Sequence, residues 1–409
     1  MWSTRLWPAA LAALCGAGGC QGPGGPLDGQ TIGADTDPTG DADPSGDPSA
    51  SATSAPDTAT TGADGTADGS DGDTTDGDES TGSTGGDCGV PGAWCGPVPT
   101  CDAPLPNAGP ELDWNETEST FVVASGANNH RGRDMFYNEG DPQWVLAKFA
   151  YGVTDWDLEG EQIDLFLLRE CTGDWEGLGS VLTTFEGTHP TVEGVEDTGG
   201  RVYFEIPAGA TLGPGRHRIH MVVRGDGTTN DVYVEVVPPG APVFVADIDG
   251  TLTTYETEEF TALLTGAIPD VNPGAPEALA ALVAAGYHPM YLTARPEFLG
   301  RRTREFLRMR GLPPGILHTT LNATGALGSA AVDYKTGELD ALAARGLYPD
   351  YVFGNTDSDA EAYDHAAVQP LDHRIFFQFT DMFGGRTIDS YTELIAEFQA
   401  LPTLCGQAC

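Results

Sequence analysis

Basic side chains are scarce in this chain. Its 409 residues contain 19 Lys and Arg against 61 Asp and Glu, so the formal net charge is −42. Because such a surface repels a polyanion, the charge argues against non-specific binding to nucleic acid. Part of the charge is segregated, since residues 21–87 hold 15 acidic residues and no basic one.

The N-terminus has no apolar run long enough to span a membrane. Residues 6–14 are apolar but too few to cross a bilayer as a helix. They follow Arg5 and precede small residues that end in Cys20. This pattern resembles a bacterial lipoprotein signal, which implies a signal peptide over 1–20 and a lipid on Cys20; a plain secretory signal is the alternative. We therefore expect an exported bacterial lipoprotein of the cell envelope, in the outer membrane, facing the periplasm or at the surface.

Cysteine spacings typical of zinc sites are also absent. The chain has no Cys-x-x-Cys pair beyond the signal segment, which argues against zinc. An even number of cysteines in an exported chain favours disulfides, and their pairing stays open. The six cysteines of the expected mature chain are Cys88, Cys95, Cys101, Cys171, Cys405 and Cys409.

Residues 21–87 have almost no large apolar side chain. Such a segment cannot bury enough surface to offset its chain entropy. We therefore expect a disordered, acidic linker that tethers the rest of the chain.

Residues 88–240 contain a cysteine segment followed by short β-rich runs, separated by Gly, Pro, Asp and Asn. Repeated short strands of this kind predict an antiparallel, Ig-like β-sandwich. The predicted strands are 121–124, 144–151, 163–168, 201–206, 217–223 and 232–237.

Residues 241–409 change to alternating strands and helices, which predicts an α/β domain with a doubly wound, Rossmann-like parallel sheet. The predicted strands are 243–246, 288–293, 351–353 and 374–379. The predicted helices are 258–264, 276–285, 297–310, 338–344, 359–366 and 391–399. Ligands of such sheets bind at the carboxyl ends of the strands.

Polar side chains suited to phosphoryl transfer follow these strands. Asp247 and Asp249 come directly after the first strand and before Gly250, and Thr293 follows the second. Two acids before a glycine could also be an ordinary turn. The matching residues further along the chain favour a site, because the reaction needs a carboxylate nucleophile, an acid, a hydroxyl, an ammonium and a cation. These further residues are Lys335, Asn355 and Asp359.

This set resembles the haloacid dehalogenase superfamily of aspartate-nucleophile phosphatases. Within it, the chain is similar to the lipin-type phosphatidate phosphatases and to the related domain of membrane-associated phosphatidylinositol transfer proteins. The likeness covers about 120–400 and includes His130-Arg-Gly-Arg133. The motifs that carry it are Val222-Val-Arg-Gly-Asp226, Asp247-Ile-Asp-Gly-Thr251, Tyr291-Leu-Thr-Ala-Arg-Pro296 and Phe353-Gly-Asn355.

The resemblance implies a role for each matched residue. Asp247 would be the nucleophile that forms an aspartyl-phosphate, and Asp249 the general acid and base. Thr293 and Lys335 would bind the phosphate. A Mg²⁺ ion would be held by Asp247, by Asp249 through its main-chain carbonyl, and by two residues of the last motif, Asn355 and Asp359.

Two positions in this chain bear on whether these family roles apply to it. Lipins usually carry Arg where this chain has Thr356, and Asp357 is an additional acid. The transfer-protein branch typically has Ser at the position of Asp247, and that domain resembles a lipid binder without turnover. The presence of Asp247 therefore favours catalysis.

The site is expected to be open. The segments between Thr251 and Tyr291, and between Arg295 and Lys335, have room for about two helices and not for a cap domain. An open site suits a bulky or membrane-held substrate.

Six arginines lie within 295–310. Arg301, Arg304 and Arg308 share one helical face. This face either contacts anionic headgroups or is solvated and paired with Glu297 and Glu305. Arg295 is expected to reach the substrate phosphate. A further set of basic residues is interpreted as mainly structural: His130, Arg131, Arg133, His217, Arg218 and His220.

These observations lead to three hypotheses. The first is a Mg²⁺-dependent phosphatase that converts phosphatidate to diacylglycerol, with the phospholipid and the membrane surface as partners and no nucleic acid. The second is a phosphatase for soluble phosphomonoesters. The third is a phosphatidate-binding module without turnover.

Overall fold

The computed structural model describes residues 89–254, 267–380 and 383–405. These residues belong to one compact unit, Gly85–Cys409. The predicted signal peptide, Cys20, the acidic linker, Cys88, Cys409 and the helix expected at 258–264 lie outside the described residues.

The first half of the described chain forms the predicted β-sandwich. One sheet has the strand order β2-β10-β9-β6-β7, a second has the order β1-β3-β8, and β4 pairs with β5. All neighbours are antiparallel except β2 and β10. The strands are β1 Arg131–Arg133, β2 Met135–Tyr137, β3 Trp144–Lys148, β4 Ala150–Tyr151, β5 Trp156–Asp157, β6 Gln162–Leu168, β7 Glu176–Leu182, β8 Arg201–Glu205, β9 Gly215–Val223 and β10 Thr229–Val236.

Strand β6 shows why the sandwich forms. Its apolar residues Ile163, Leu165 and Leu167 alternate with partly exposed ones and are fully buried in the sandwich core. Alternation with period two directs one face of a strand inward, so the pattern read from the sequence also fixes which face packs.

The strand predicted at 121–124 is wrong, because these residues lie in helix α1, Ser119–Ala124. The buried carboxylate of Glu161 accepts hydrogen bonds from the backbone N–H groups of Asn115 and Glu116 and from the Ser119 hydroxyl. These contacts fix the turn that begins the helix. A run of four apolar residues has no periodicity strong enough to oppose such tertiary contacts.

The second half is an α/β domain, as predicted. Its six strands have the order β13-β12-β11-β14-β15-β16, and every neighbouring pair is parallel. The strands are β11 Val243–Ala246, β12 His288–Leu292, β13 Ile316–His318, β14 Pro349–Gly354, β15 Arg374–Phe377 and β16 Arg386–Ile388. The helices are α2 Ala275–Ala285, α3 Gly300–Met309, α4 Ser329–Ala344, α5 Asp357–His365 and α6 Thr392–Gln399. Short 3₁₀ turns are Arg169–Cys171, Ala208–Ala210, Glu297–Leu299 and Leu371–His373.

Both faces of the parallel sheet are covered. Phe244 and Ala246 of β11 belong to one hydrophobic core, and Val243 and Val245 belong to another. A strand that is buried on both sides reads as a continuous apolar run. The strand order reverses at β11 and β14, and this switch point is where a doubly wound sheet opens a crevice for ligands.

Buried charges connect the sandwich to the α/β domain. The fully buried Asp134, between β1 and β2, accepts two hydrogen bonds from the Arg304 guanidinium of α3, at 2.9 and 3.0 Å. It also accepts the backbone N–H groups of Tyr233 and Leu317. One sandwich carboxylate therefore anchors α3 and β13. Arg201 similarly pairs with Glu297, and Glu235 with Arg216 and His288.

A second buried pair anchors helix α4. Arg133 of β1 donates to both carboxylate oxygens of Glu338, at 2.9 and 2.8 Å. His318 Nδ1 lies 2.5 Å from Glu338 Oε2. Burial opposes the charge of Glu338, but Arg133 and His318 lower its pKa to about 2.

Two disulfides close the compact unit, which confirms the expectation of disulfides. They join Cys95 to Cys405 and Cys101 to Cys171. The first ties the start of the described chain to its end. In the described part of the chain, no helix has the length and apolar character that a membrane span requires.

We predict that Asp134→Ala lowers the free energy of unfolding by about 3–5 kcal/mol, because the buried Asp134 carboxylate is the acceptor for the backbone N–H groups of Tyr233 and Leu317 and the partner of the half-buried Arg304. Urea unfolding measures the difference. As a control, Glu397→Gln removes the partner of Arg386 in an exposed pair and should cost less than about 1 kcal/mol. Equal losses in the two variants would contradict the assigned role of Asp134.

The lowered pKa of Glu338 predicts a specific pH dependence of stability. The folded-state pKa of about 2 lies below the ordinary value of 4.5. Between these two pH values the unfolded chain therefore binds more protons than the folded chain. The contribution of Glu338 to the free energy of unfolding is complete above about pH 4.5 and is lost as the pH falls toward 2. Glu338→Gln should be less stable than the wild type at neutral pH by about 3 kcal/mol, and the gap should shrink in acid. A gap that stays constant in urea unfolding between neutral and acid pH would contradict this assignment.

Candidate active site

The predicted site residues of the α/β domain meet at the carboxyl edge of the parallel sheet. Asp247 follows β11 and its backbone N–H donates to Phe353 O of β14, at 2.9 Å. Thr293 follows β12, and Asn355 follows β14. Because β11 lies between β12 and β14, these residues come together at the switch point of the sheet.

A tight loop after β11 holds the two acids. Gly250 has a φ of +73°, which favours glycine, and its N–H donates to the Thr253 hydroxyl. The side chain of Asn272 donates to the main-chain oxygens of Thr251 and Thr253. The Thr251 hydroxyl lies 2.9 Å from Asp247 Oδ2 and 2.7 Å from Asn355 Oδ1. The hydroxyl residues of this motif therefore build the loop.

The Lys335 ammonium connects two buried carboxylates. Its Nζ lies 2.8 Å from Asp247 Oδ1 and 2.5 Å from Asp359 Oδ1. Burial opposes the charge of the lysine, but the two carboxylates outweigh it and raise its pKa. Lys335 thus remains cationic directly beside the predicted nucleophile.

Asp359 has a structural task at the start of α5. Its Oδ2 accepts hydrogen bonds from the backbone N–H groups of Asn355 and Thr356, and Thr356 and Asp359 form a reciprocal capping box. Its Oδ1 is taken by Lys335. Thr356, which replaces the arginine usual in lipins, therefore serves as the helix N-cap, and Asp357 is exposed.

Arg295 binds Asp249, a contact that the sequence did not predict. Its Nε and Nη2 lie between 2.8 and 3.1 Å from the two carboxylate oxygens, and its Nη1 donates to the Thr303 hydroxyl. The Thr293 hydroxyl donates to Asp249 Oδ2 at 3.0 Å. Thr293 and Arg295, two of the three residues that were expected to bind phosphate, thus contact the predicted general acid here.

The surroundings of Asp247 disfavour the negative charge of its carboxylate. Burial, with a further contribution from the Asp359 and Asp249 carboxylates, raises its pKa to about 7 although Lys335 opposes this shift. An added cation near Asp247 would relieve this repulsion. The oxygens suited to a hard cation are the Asp247 carboxylate, the Asp249 main-chain carbonyl and the Asn355 side-chain oxygen, so the donor set fits Mg²⁺. Among the described residues, no group of three or more His, Cys, Asp or Glu side chains forms a metal cluster.

The arginine-rich helix α3 faces the sandwich. Arg304 pairs with Asp134, and Arg301 donates to Asn128 Oδ1 at 3.2 Å. Together with Arg308 these residues line a cleft beside β9 and β10. The predicted shared face exists, but the acids that had been expected as partners, Glu297 and Glu305, do not pair with it in the described contacts.

The basic residues that were interpreted as structural contact polar groups of the sandwich and of the α/β domain. Arg218 and His220 contact Asp231, and Arg131 pairs with Asp155. His130 contacts Thr228, and His217 contacts Gly213 O. Arg133 is the exception that matters for the site, because it anchors the helix that carries Lys335. Its partner Glu338 lies 205 residues away, so no local pattern signals the pair.

Comparisons with known proteins agree with both halves of the fold. Residues 128–236 match the family model described as PITM 1-3, beta-sandwich domain. Residues 244–377 match the model described as PITM 1-3, LNS2 domain.

Similar whole proteins are much longer than this chain. Protein retinal degeneration B of Drosophila melanogaster is 31% identical over 235 residues, which are 57% of this chain and 17% of that protein. Human membrane-associated phosphatidylinositol transfer protein 3 is 29% identical, over 53% of this chain and 20% of that protein. The D,D-heptose 1,7-bisphosphate phosphatase of B. bronchiseptica is 12% identical over 38% of this chain and 97% of its own, with a TM-score of 0.28, which is too low to inform function.

The relatives also correct one prediction. They are membrane-associated proteins of animals, and this contradicts the expected localisation as an exported bacterial lipoprotein. That prediction is wrong, because a short apolar run followed by small residues and a cysteine is a weak local pattern. The two folded halves are therefore a β-sandwich domain followed by an LNS2 domain, of the kind that membrane-associated phosphatidylinositol transfer proteins carry.

Proposed function

We propose that the LNS2-like domain is a Mg²⁺-dependent phosphatase that hydrolyses phosphatidate to diacylglycerol and inorganic phosphate through an aspartyl-phosphate. The observation that carries this proposal is the contact of Lys335 with the Asp247 carboxylate at the switch point of the sheet. Asp249 and Thr293 lie at the same edge. An ammonium beside a buried carboxylate can hold the charge of a phosphoryl group during attack.

The chemistry can be written with the residues of this chain. An Asp247 oxygen attacks phosphorus, and the bond from phosphorus to the diacylglycerol oxygen breaks while Asp249 gives that oxygen a proton. Asp249 then takes a proton from a water molecule, which attacks the aspartyl-phosphate. Inorganic phosphate leaves, and the Asp247 carboxylate is restored.

Asp247, the main-chain carbonyl of Asp249 and Asn355 would hold Mg²⁺. The family resemblance adds Asp359 to this set; in the structure its Oδ1 contacts Lys335 and its Oδ2 caps α5. When bound, the ion would offset the repulsion between carboxylate and phosphate.

Two lines of support favour a lipid substrate. The relatives are named for the transfer of phosphatidylinositol, and the motifs resemble those of lipins. The site edge also has no cap domain among the described residues, and the stretch 255–266 is too short to contain one. An open edge suits a phosphate held at a membrane surface. Soluble phosphomonoesters remain the alternative substrate class.

One observation favours the non-catalytic alternative, a phosphatidate-binding module. A carboxyl that donates a proton must first carry one, yet Arg295 donates to both oxygens of Asp249. Turnover therefore requires Asp249 to leave this guanidinium when substrate binds. A domain in which the ion pair never opens would bind phosphate without cleaving the ester.

We predict that the full chain releases phosphate from phosphatidate vesicles in the presence of Mg²⁺, and that Asp247→Asn lowers the rate by at least about 10³-fold, because the amide cannot form the phosphoryl ester. Asp357→Asn is the matched control, since Asp357 is exposed and close to the same edge; its rate should stay within about threefold of the wild type. Phosphate release is measured with vesicles and with soluble esters, with and without Mg²⁺.

The other outcomes separate the alternatives. Release from soluble esters but not from vesicles would exclude the lipid substrate. Vesicle binding without release by the wild-type protein would leave only the binding module. Equal release by wild type and Asp247→Asn would exclude Asp247 as the nucleophile.

A further inference from the structure

The phenol hydroxyl of Tyr391 is a buried polar group that the proposed mechanism does not use. Tyr391 directly precedes α6 and is fully buried, yet its hydroxyl has no hydrogen-bond partner within the part of the chain that the structure describes. Buried polar groups are nearly always hydrogen-bonded, and one without a partner costs stability. Phenylalanine would give the same apolar packing without this cost, so packing alone does not account for the hydroxyl.

The ring of Tyr391 points from the edge of the parallel sheet toward the candidate active site. Tyr391 follows β16, and β15 and β14 lie between β16 and β11. Its ring stacks on Phe377 at the end of β15, with centroids 5.7 Å apart, and packs against Phe353 of β14 at 6.1 Å. Because neighbouring strands are about 4.8 Å apart, a side chain that starts beyond β16 and contacts β14 extends most of the way to β11. The hydroxyl is the far end of that side chain.

Two carboxylates of the site act on this hydroxyl. Burial, and then the negative charges of Asp247 and Asp359, raise the pKa of Tyr391. The hydroxyl therefore keeps its proton. A nearby acceptor, the Phe353 carbonyl, already accepts from the Asp247 N–H and from the Tyr363 hydroxyl, at 2.9 and 2.7 Å. The Tyr391 hydroxyl is thus left available to a ligand of the site.

The cation site is the place where such a ligand is expected. The Asp247 carboxylate, the Asp249 main-chain carbonyl and the Asn355 side chain supply only part of the about six oxygens that Mg²⁺ requires, and the ion usually keeps several waters. A water on a cation is polarised and donates strongly, and a phenol oxygen can accept from it. Residues that hydrogen-bond the surroundings of a metal commonly set its affinity.

We infer that Tyr391 is a positioning residue of the cation site, and that its hydroxyl accepts a hydrogen bond from a water molecule bound to Mg²⁺. The inference rests on the proposed function, because that function supplies the ion. It adds to the site a residue from outside the motifs that follow β11, β12 and β14. It also accounts for a buried hydroxyl that packing does not require.

The test is calorimetric titration of the full chain with Mg²⁺, without any phosphate ester. Asp247→Asn is titrated alongside as the baseline, because the acidic segment 21–87 can also hold Mg²⁺ weakly. We expect Tyr391→Phe to bind Mg²⁺ about tenfold more weakly than the wild type. Its midpoint of thermal unfolding without Mg²⁺ should not fall, since the variant keeps the ring and loses only an unpaired hydroxyl.

Tyr334→Phe is the matched control. The Tyr334 hydroxyl is also buried and has no partner among the described residues, but its charged neighbours are Glu338 and Arg133. Its removal should leave the Mg²⁺ affinity within about twofold of the wild type.

A crystal structure of the wild type with Mg²⁺ is a second measurement that needs no variant, and it decides the matter if Tyr391→Phe does not fold. It should show a water about 2.1 Å from the ion and within about 3 Å of Tyr391 Oη.

Failure of the inference and failure of the proposed function are distinguishable. Mg²⁺ binding by the wild type, with the same affinity in Tyr391→Phe, would overturn the inference alone. The absence of a shared water in the crystal structure would do the same, and so would an equal loss of affinity in Tyr334→Phe. A wild type whose titration equals that of Asp247→Asn would overturn both, because the site would then hold no Mg²⁺.

Discussion

The contact of one ammonium with two buried carboxylates is the constraint on which the α/β domain depends. Lys335 comes from α4, Asp247 from the end of β11, and Asp359 from the first turn of α5. An unpaired buried charge is costly, so these three elements must meet with their charged groups in contact. The same contact places a cation beside the proposed nucleophile. Stability and the proposed chemistry at this edge of the sheet therefore depend on the same atoms.

The sandwich takes part in this arrangement. Glu338 lies on the same helix as Lys335, about one turn later, and it is held by Arg133 of β1 and His318 of β13. The backbone carbonyl of Asp134 accepts from His318, and its side chain holds Arg304 of α3. A continuous series of polar contacts thus extends from the helix of Lys335 to the arginine-rich helix α3. We regard the two domains as one folded unit for this physical reason.

The sequence predicted the features that depend on local patterns. β11 is a run of four apolar residues followed by Asp247 and Asp249, and the parallel order of the strands brings the carboxyl ends together. It missed β13 and β16, which have three residues each and too little periodicity to detect. It could not predict that Arg295 holds Asp249, because ion pairs between distant residues depend on the final packing and not on spacing. The shared face of Arg301, Arg304 and Arg308 on α3 could be predicted from their spacing. The cleft beside this face could not, because residues of the sandwich form its other side.

The central claim is that Asp247 becomes phosphorylated during turnover. The most direct measurement is acid quenching of the wild-type protein during reaction with phosphatidate and Mg²⁺, followed by mass spectrometry of its peptides. We predict a phosphoryl group on the peptide that contains Asp247, and its absence in Asp247→Asn. Two results together would contradict this claim. They are steady release of phosphate by the wild type with no phosphoryl group trapped on that peptide, and the same rate of release by Asp247→Asn.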